Sequence, residues 1–484
     1  MAETDLKTKT ARTLKWNTFD KLATQLLYAV TGVVLANVLS KEDFGLVGTM
    51  LIFQAFANLF VDSGFSSALI QRKRPTQTDY STVFYFNLLM SIGIYAILWF
   101  CAPIIARTFS DERLIALSRI MFLSFIINAT AIVQTNRLMK QMDVRMIAIS
   151  NFVGLLISGV VGIVMALYGY GAWAIVWQTL INFSVRSIIL WITSRWLPSL
   201  TFSVASLKSF AKVGTGVMTT SFLNTVFLYI YNYIIGAYYS LASLGIYTQA
   251  DKWSKMGVMS LSQILTSSFL PLMSEVQDDY SRFKEMLSKT HRFTAYVLFL
   301  SFGLLIVIAE PLFHLLFSTK WDEAIILFQL LSLRGIFTVL TLLYNNYLLS
   351  LGKAKLIVYS EIVKDVSTIV AIIVTLSSRD VSILVLGQVV AGLCYFIFSI
   401  ILTSYATRIP LLQYVRELSV YIVIAGISIC PAIGILQMTV HPLLLILLQC
   451  LTSTICYLLI NKLLKSKIQQ DVLRFAFGRF IKNK

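Results

Sequence analysis

The chain has 484 residues, of which 57% are hydrophobic and 13% are charged, and its formal net charge is +17. Ordinary soluble domains carry about 25% charged residues and about 45–50% apolar ones, and a soluble chain could not bury so much apolar surface in cores of ordinary size. The composition therefore excludes soluble enzymes, disordered scaffolds and secreted disulfide proteins. It indicates an all-α polytopic membrane protein whose apolar residues face lipid.

Apolar segments long enough to cross a membrane recur along the whole chain. A membrane helix needs roughly 20 mostly apolar residues, and turn and charge breaks divide the sequence into fourteen such spans. In chain order their limits are 16–39, 44–70, 80–106, 114–136, 146–168, 172–194, 213–237, 244–272, 293–317, 323–350, 356–377, 381–407, 413–437 and 442–461.

The basic residues orient these spans. With the N-terminus in the cytoplasm, twenty-eight of the forty Lys and Arg residues fall in the predicted cytoplasmic loops and the C-terminal tail, and five fall on the opposite side. The positive-inside rule demands this asymmetry, and an odd number of spans would scramble it. We therefore expect both termini in the cytoplasm. The basic excess is mainly a topology signal, with anionic membrane lipids as a second partner.

Two internal matches indicate a repeated architecture. LSKEDFGLV (39–47) and YSLASLGIY (239–247) share a serine and a glycine at an offset of 200, and AWAIVWQ (172–178) parallels SILVLGQ (382–388) at an offset of 210. Repeats of this kind are related by an axis along the membrane normal, with the substrate site between the lobes. The predicted domains are an N-terminal lobe with helices 1–6 (1–200), a C-terminal lobe with helices 7–12 (201–408), helices 13 and 14 (409–464) and a basic cytoplasmic tail (465–484).

In the first lobe, polar side chains follow helical spacing on spans 1 and 2. These are Asn17, Lys21, Thr24, Tyr28 and Thr31 on span 1, and Gln54, Asn58 and Asp62 on span 2. Each set falls on one helix face, which predicts that it borders a hydrated cavity. Lys21 could instead snorkel to the cytoplasmic interface. Gly154, Ser158 and Gly162 form a face of small residues that predicts helix packing.

The second lobe carries the deepest charges. The stripes there are Thr220, Asn224 and Tyr231 on span 7; Thr248, Lys252, Lys255, Met259, Ser262 and Thr266 on span 8; and Arg334, Thr338, Thr341 and Asn345 on span 10. Three cations facing lipid would cost about 8–10 kcal/mol on insertion scales, so we expect Lys252, Lys255 and Arg334 to face water, a partner or a ligand. Two alternatives stay open: Asp251 and Lys255 pair at i,i+4, and Glu361 with Lys364 or Asp365 forms a packing network.

Motifs for chemistry are missing from the sequence. It contains no HExxH, P-loop or GxSxG motif, and its three histidines and five cysteines lack metal-ligand spacing. The sequence therefore predicts no enzyme, no cofactor, no metal and no nucleic-acid partner, and ATP is not the direct energy source.

Four segments resemble a known family. KTARTLKWNTFDKLATQLLYAVTGVVLANVLSKEDFGLVG (9–48), followed by FVDSGFSSALIQRK (60–73), resembles the N-terminal signature of Wzx-type polysaccharide repeat-unit flippases of the multidrug/oligosaccharidyl-lipid/polysaccharide (MOP) superfamily. FLPLMSEVQDDYSRFK (269–284) and FSTKWDEAIILFQLLSLRGIF (317–337) also resemble that family. The similarity runs over nearly the whole chain.

The resemblance implies a fold and a function. It implies twelve helices in two lobes plus two further helices, in a bacterial inner membrane. It also implies alternating access that moves a polyprenyl-diphosphate-linked oligosaccharide to the outer leaflet, for O-antigen, capsule or exopolysaccharide export. Related flippases have a cationic cavity for the diphosphate, a role that we carry to Lys21, Lys252, Lys255 and Arg334. A polysaccharide polymerase and a chain-length regulator are the expected protein partners.

The phosphate and sugar groups of the expected substrate add further residues to these four cations. Lysine binds phosphate as a point charge and arginine can fork two oxygens, while amides suit sugar hydroxyls. The predicted substrate-binding residues are Lys21, Asn58, Asn224, Lys252, Lys255, Arg334, Asn345 and Lys364. Coupling to H⁺ or Na⁺ is predicted through Asp62 or Asp251, and movement driven by the membrane potential is the alternative.

Two other function classes compete with this interpretation. A cation-coupled drug antiporter like the MATE proteins would have an acidic cavity with aromatic walls, which the basic surplus disfavours. A polysaccharide polymerase or lipid-linked glycosyltransferase would need a large external loop with catalytic residues, whereas the predicted outer loops, such as 40–43 and 168–171, are short.

Overall fold

The computed structural model describes residues 2–62, 65–266, 269–276, 278–436 and 440–472, which contain helices and no strand. The α-helices in these ranges are α1 (Ala2–Val38), α2 (Lys41–Asp62), α3 (Phe65–Gln71), α4 (Gln77–Thr108), α5 (Arg113–Met121), α6 (Leu123–Lys140), α7 (Val144–Leu167), α8 (Trp173–Ser194), α9 (Val204–Tyr238), α10 (Leu241–Thr266), α11 (Phe269–Glu275), α12 (Tyr280–Val307), α13 (Ala309–Leu316), α14 (Asp322–Ser350), α15 (Ala354–Thr375), α16 (Val381–Thr407), α17 (Leu411–Ile435) and α18 (Pro442–Leu463). The all-α multi-pass class predicted from the sequence is confirmed.

Eleven of the described helical segments are long and apolar enough to cross a membrane. They correspond to predicted spans 1–6, 9, 10 and 12–14. Predicted spans 7, 8 and 11 correspond to α9, α10 and α15, which have 35, 26 and 22 residues and are not among these eleven. The count of fourteen therefore stays a prediction.

Several predicted spans differ from the observed helices, and spans 4 and 9 are two examples. Span 4 is divided, because α5 ends at Met121 and α6 begins at Leu123. Residues 280–292, expected in a loop, form the first turns of α12. The Asp279 carboxylate caps this helix by accepting hydrogen bonds from the backbone N–H groups of Ser281 and Arg282, both at 3.1 Å, and an N-cap of this type satisfies donors that a helix start leaves unpaired.

The chain forms two compact units, residues 1–248 and 249–484. The first unit has an apolar core that includes Phe122, Phe125 and Leu180, and the second has one that includes Phe302 and Tyr344. Helix α9 packs against α2, α3 and α4 of the first unit. The lobe limits at residues 200 and 408 stay a prediction.

The small-residue face of α7 makes the close packing that the sequence predicts. A Cβ at Gly154 would lie 3.0 Å from Asn182 Oδ1, and one at Gly162 would lie 3.0 Å from Gln178 Cβ, so this face holds α7 against α8. Across α7, a Cβ at Gly159 would lie 2.5 Å from Thr31 Cγ2 on α1. Small residues let helices approach this closely.

The two glycines of the internal repeat mark reciprocal contacts between the starts of α2 and α10. A Cβ at Gly45 would lie 1.8 Å from the carbonyl oxygen of Leu241, and a Cβ at Gly245 would lie 1.9 Å from that of Lys41. Each glycine therefore contacts the first residue of the other helix. These two first residues, Lys41 and Leu241, are themselves 200 positions apart. The sequence repeat thus has a local counterpart in the structure.

A buried ionic network joins α12, α14 and α17. Glu417, whose side chain is 7% exposed, accepts hydrogen bonds from Arg292 Nη2 at 2.9 Å and Ser288 Oγ at 2.6 Å, and its Oε2 lies 2.9 Å from His291 Nδ1. The other ring nitrogen of His291 lies 3.0 Å from the hydroxyl oxygen of Tyr344. This network fixes α17 to the core of the second unit.

We expect Glu417→Leu to lower the melting temperature of the purified protein strongly, because removing one partner of a buried pair typically costs about 3–5 kcal/mol. Lys289→Ala is the matched control on the same helix: Lys289 pairs with Asp471 at 3.1 Å with both side chains about half exposed, and such pairs contribute roughly 0–1 kcal/mol. Equal melting temperatures for the two variants would contradict the role given to Glu417.

Candidate functional site

A cluster of two cations and one carboxylate lies between α10 and α14. Lys255 Nζ is 2.6 Å from Asp251 Oδ2, and Arg334 Nη2 is 3.7 Å from Asp251 Oδ1. The Asp251 side chain is 8% exposed, whereas those of Lys255 and Arg334 are 34% and 21% exposed. The predicted i,i+4 pair therefore forms, and the cluster keeps one net positive charge with both cations in part accessible.

Arg334 retains capacity to donate hydrogen bonds. Its Nε is buried and has no hydrogen-bond partner among the described residues, and a Cβ at Gly392 on α16 would lie 3.2 Å from its Cγ. The aliphatic part of the side chain thus packs near α16 while the guanidinium reaches Asp251. Lys252, one residue after Asp251, is half-buried, and its Nζ lies 5.4 Å from the centre of the Trp253 ring.

Lys364 and Asn345 belong to a second, acidic cluster on α14, α15 and α16. Lys364 Nζ contacts Glu361 Oε2 and lies 3.6 Å from Asp365 Oδ1. The Tyr395 hydroxyl donates to Glu361 and accepts from Asn345 Nδ2 at 3.3 Å. The packing network left open by the sequence is thus present. Two carboxylates surround the one lysine, so this cluster has one net negative charge.

The other predicted residues belong to the first unit. Lys21 is exposed on α1, next to Asp20, whose carboxylate accepts hydrogen bonds from Asn151 Nδ2 on α7 at 3.1 and 3.3 Å. Asn224 is exposed on α9. The side chain of Asp62 lies outside the described residues.

Asn58 lines a polar cavity that lies wholly within the first unit. The cavity has a volume of about 470 Å³ and is bounded by α2, α3, α6, α8 and α9. Its walls include Asn128, Thr135, Asn136 and Arg186. Roughly 300–1,000 Å³ is the usual range for small-ligand sites.

The sequence prediction missed the α6 and α8 residues of this cavity. Asn128, Ala131, Ile132, Thr135 and Asn136 follow i, i+3, i+4, i+7 and i+8, which is one helix face. That spacing was available as a signal, but the polar members of the face are mixed with apolar ones.

Comparison with known proteins assigns the family. Residues 34–326, more than half of the chain, match the family described as "Polysaccharide biosynthesis protein". Similar proteins include the teichuronic acid biosynthesis protein TuaB of Bacillus subtilis (strain 168), 24% identical over 71% of this chain and 72% of its own length. The succinoglycan biosynthesis transport protein ExoT of Rhizobium meliloti (strain 1021) is 25% identical, over 74% and 72%. The lipopolysaccharide biosynthesis protein WzxC of Escherichia coli (strain K12) is 22% identical, over 68% of both chains.

Solved structures share the fold. The lipid II flippase MurJ in its inward closed conformation has a TM-score of 0.74 and 14% identity, over 94% of this chain and 99% of that one. An inward-facing MATE family multidrug resistance transporter of the MOP superfamily has a TM-score of 0.60 and 14% identity, over 80% and 96%. The family match, supported by these relatives, shows that the chain belongs to the polysaccharide biosynthesis protein family.

Proposed function

We propose that the protein is a flippase that moves polyprenyl-diphosphate-linked oligosaccharide repeat units from the cytoplasmic to the outer leaflet of a bacterial inner membrane by alternating access. The product would serve the export of a polysaccharide such as O-antigen, capsule or exopolysaccharide. Membership of the polysaccharide biosynthesis family supports this class, as do a relative named as a transport protein and a fold shared with a lipid II flippase. These likenesses are to transporters and not to enzymes.

The observation that carries the proposal is the Asp251–Lys255–Arg334 cluster. Buried charges in a membrane helix are costly and mark substrate or ion pathways, and this cluster keeps one positive charge after internal pairing. A diphosphate would displace the weaker, 3.7 Å contact of Arg334 and accept hydrogen bonds from its guanidinium and from Lys255. Lys252 and Lys21 would add positive charge along the path, and Asn58, Asn224 and Asn345 would contact sugar hydroxyls. Lys364 would also bind the substrate, with Glu361 and Asp365 next to it.

A reconstitution assay tests the proposal. Purified protein in vesicles is given a fluorescent polyprenyl-diphosphate-linked sugar in one leaflet, and its transfer is followed by quenching from outside. We expect transfer that protein-free vesicles lack. Efflux of cationic drugs without lipid transfer would favour the antiporter alternative. Two observations favour that alternative: the fold shared with a MATE transporter and the acidic cluster that contains Glu361 and Asp365. Elongation of polysaccharide would favour an enzyme.

We propose ion coupling through Asp62 or Asp251 and predict that Asp62→Asn abolishes the response of transfer rate to an imposed proton or sodium gradient. An ionised carboxylate binds either cation, whereas an amide cannot be protonated in its place. Asp380→Asn is the control, because Asp380 is exposed and caps α16 by accepting from the backbone of Ser382 at 2.7 Å, a role that asparagine also fills. If neither gradient changes the transfer rate of wild type or of Asp62→Asn, Asp62 has no role in ion coupling.

The orientation and partners complete the proposal. Both termini would lie in the cytoplasm, where the basic tail (465–484) would contact anionic lipids. A polysaccharide polymerase and a chain-length regulator would receive the exported repeat units.

A further inference from the structure

The cavity of the first unit has polar groups that make no hydrogen bond to the described part of the protein. Asn58 Oδ1 is buried without a hydrogen-bond partner among the described residues, and so is Arg186 Nε. Asn128 also lines the cavity, on α6. Buried polar groups are normally hydrogen-bonded, and those that are not call for a bound partner.

Other lining groups are oriented by the protein itself. Asn136 Nδ2 donates to Ser66 Oγ at 2.8 Å, which fixes the Asn136 amide. The hydroxyls of Thr135 and Thr225 donate to the carbonyl oxygens of Ala131 and Ser221 in their own helices, at 2.9 and 2.8 Å. Each of these threonines therefore presents an oxygen that is free to accept.

The mixture of groups identifies the chemistry of the ligand. Amides supply donors and acceptors side by side, which suits neighbouring hydroxyls on a sugar ring. The described lining residues include one cation, Arg186, but no carboxylate and no aromatic ring. A diphosphate would attract more than one cation, and an organic cation would need a carboxylate or an aromatic wall.

We propose that this cavity is a carbohydrate subsite that binds one or two sugar rings of the translocated lipid, separately from the groups that hold its diphosphate. The inference rests on the proposed function and adds a division of labour to it: the first unit recognises the sugar through Asn58, Asn128 and Arg186. The alternative is that water alone fills the cavity, since polar cavities of this kind hold water.

The test compares two lipids on the protein in lipid nanodiscs by native mass spectrometry. The probes are the lipid-linked repeat unit extracted from cells that carry this gene, and undecaprenyl diphosphate without sugar. Asn58→Leu/Asn128→Leu removes two amides that line the cavity, at nearly constant side-chain volume. Asn37→Leu is the control, since Asn37 is exposed and its amide donates to the carbonyl oxygen of Val33 in its own helix at 3.0 Å. Thr135→Val provides an independent, smaller change in the cavity.

We expect wild type and Asn37→Leu to bind the sugar-bearing lipid at least tenfold more tightly than undecaprenyl diphosphate. The double variant should lose this preference and bind undecaprenyl diphosphate as before, and Thr135→Val should reduce the preference several-fold. An undiminished preference in the double variant overturns the subsite. The subsite is also wrong if the double variant binds neither lipid while Thr135→Val keeps the wild-type preference for the sugar-bearing lipid.

The proposed function can fail separately. If wild type binds both lipids equally well, the sugar subsite is wrong and the flippase proposal stands. If wild type binds neither lipid, the flippase proposal is wrong and the subsite falls with it.

Discussion

Gly45→Ala is expected to reduce lipid transfer at least tenfold while the protein still inserts into the membrane. The new Cβ would lie 1.8 Å from the carbonyl oxygen of Leu241 and 2.5 Å from its carbonyl carbon. Both are backbone atoms, which cannot rotate away, so the starts of α2 and α10 would have to move apart. Overpacking typically costs about 1–3 kcal/mol, and 1.4 kcal/mol is a tenfold change in an equilibrium.

The reciprocal contact provides a second variant with the same expected effect. A Cβ at Gly245 would lie 1.9 Å from the carbonyl oxygen of Lys41, so Gly245→Ala should act like Gly45→Ala. Gly93→Ala is the matched control, because a Cβ at that helical position would have no neighbouring atom within 4 Å. It should transport as well as wild type.

A distance measurement separates loss of this contact from general damage. Ser40 and Ser240 are exposed and stand at equivalent positions of the repeat, so spin labels there report the separation of the two helix starts, once the five native cysteines are replaced. We expect longer distances in Gly45→Ala than in Gly93→Ala. Unchanged distances with normal transfer would show that the contact is dispensable.

The repeat shows what periodicity in a sequence can predict. The offset of 200 identified Ser40 with Ser240 and Gly45 with Gly245, and the structure brings the glycine-containing segments together. The i,i+4 pair of Asp251 and Lys255 was also accessible, because helical geometry alone sets that distance. Residue spacing in the sequence is therefore sufficient to predict an internal repeat and an ion pair within one helix.

Contacts between distant helices could not be predicted in the same way. Glu361 is held by Tyr395, which comes from the next helix, and helical spacing does not give the rotation of α16 relative to α15. The cavity of the first unit needs Asn58, Asn128 and Arg186 from three helices at once. Each residue is unremarkable within its own helix, so the sequence predicted a role for Asn58 but not the cavity that contains it.

Replacing Lys255 and Arg334 together by methionine is expected to abolish lipid transfer. The pair supplies the positive charge of the α10–α14 cluster, and its loss would leave the buried Asp251 carboxylate without either partner. An unpaired buried charge also destabilises a protein by about 3–5 kcal/mol, so this variant alone would confuse lost binding with lost folding. A neutral version of the cluster resolves the two effects.

The variant Asp251→Asn/Lys255→Met/Arg334→Met removes all three charges and with them the unpaired carboxylate. We expect it to melt near the wild-type temperature, since replacing a complete buried ion cluster is often neutral or stabilising, and yet to transfer no lipid. Arg282→Met, which removes a cation whose side chain is 78% exposed, should transfer normally. Lipid transfer at the wild-type rate by the triple variant would mean that the two cations serve only to neutralise Asp251, and the diphosphate would then have to be bound elsewhere.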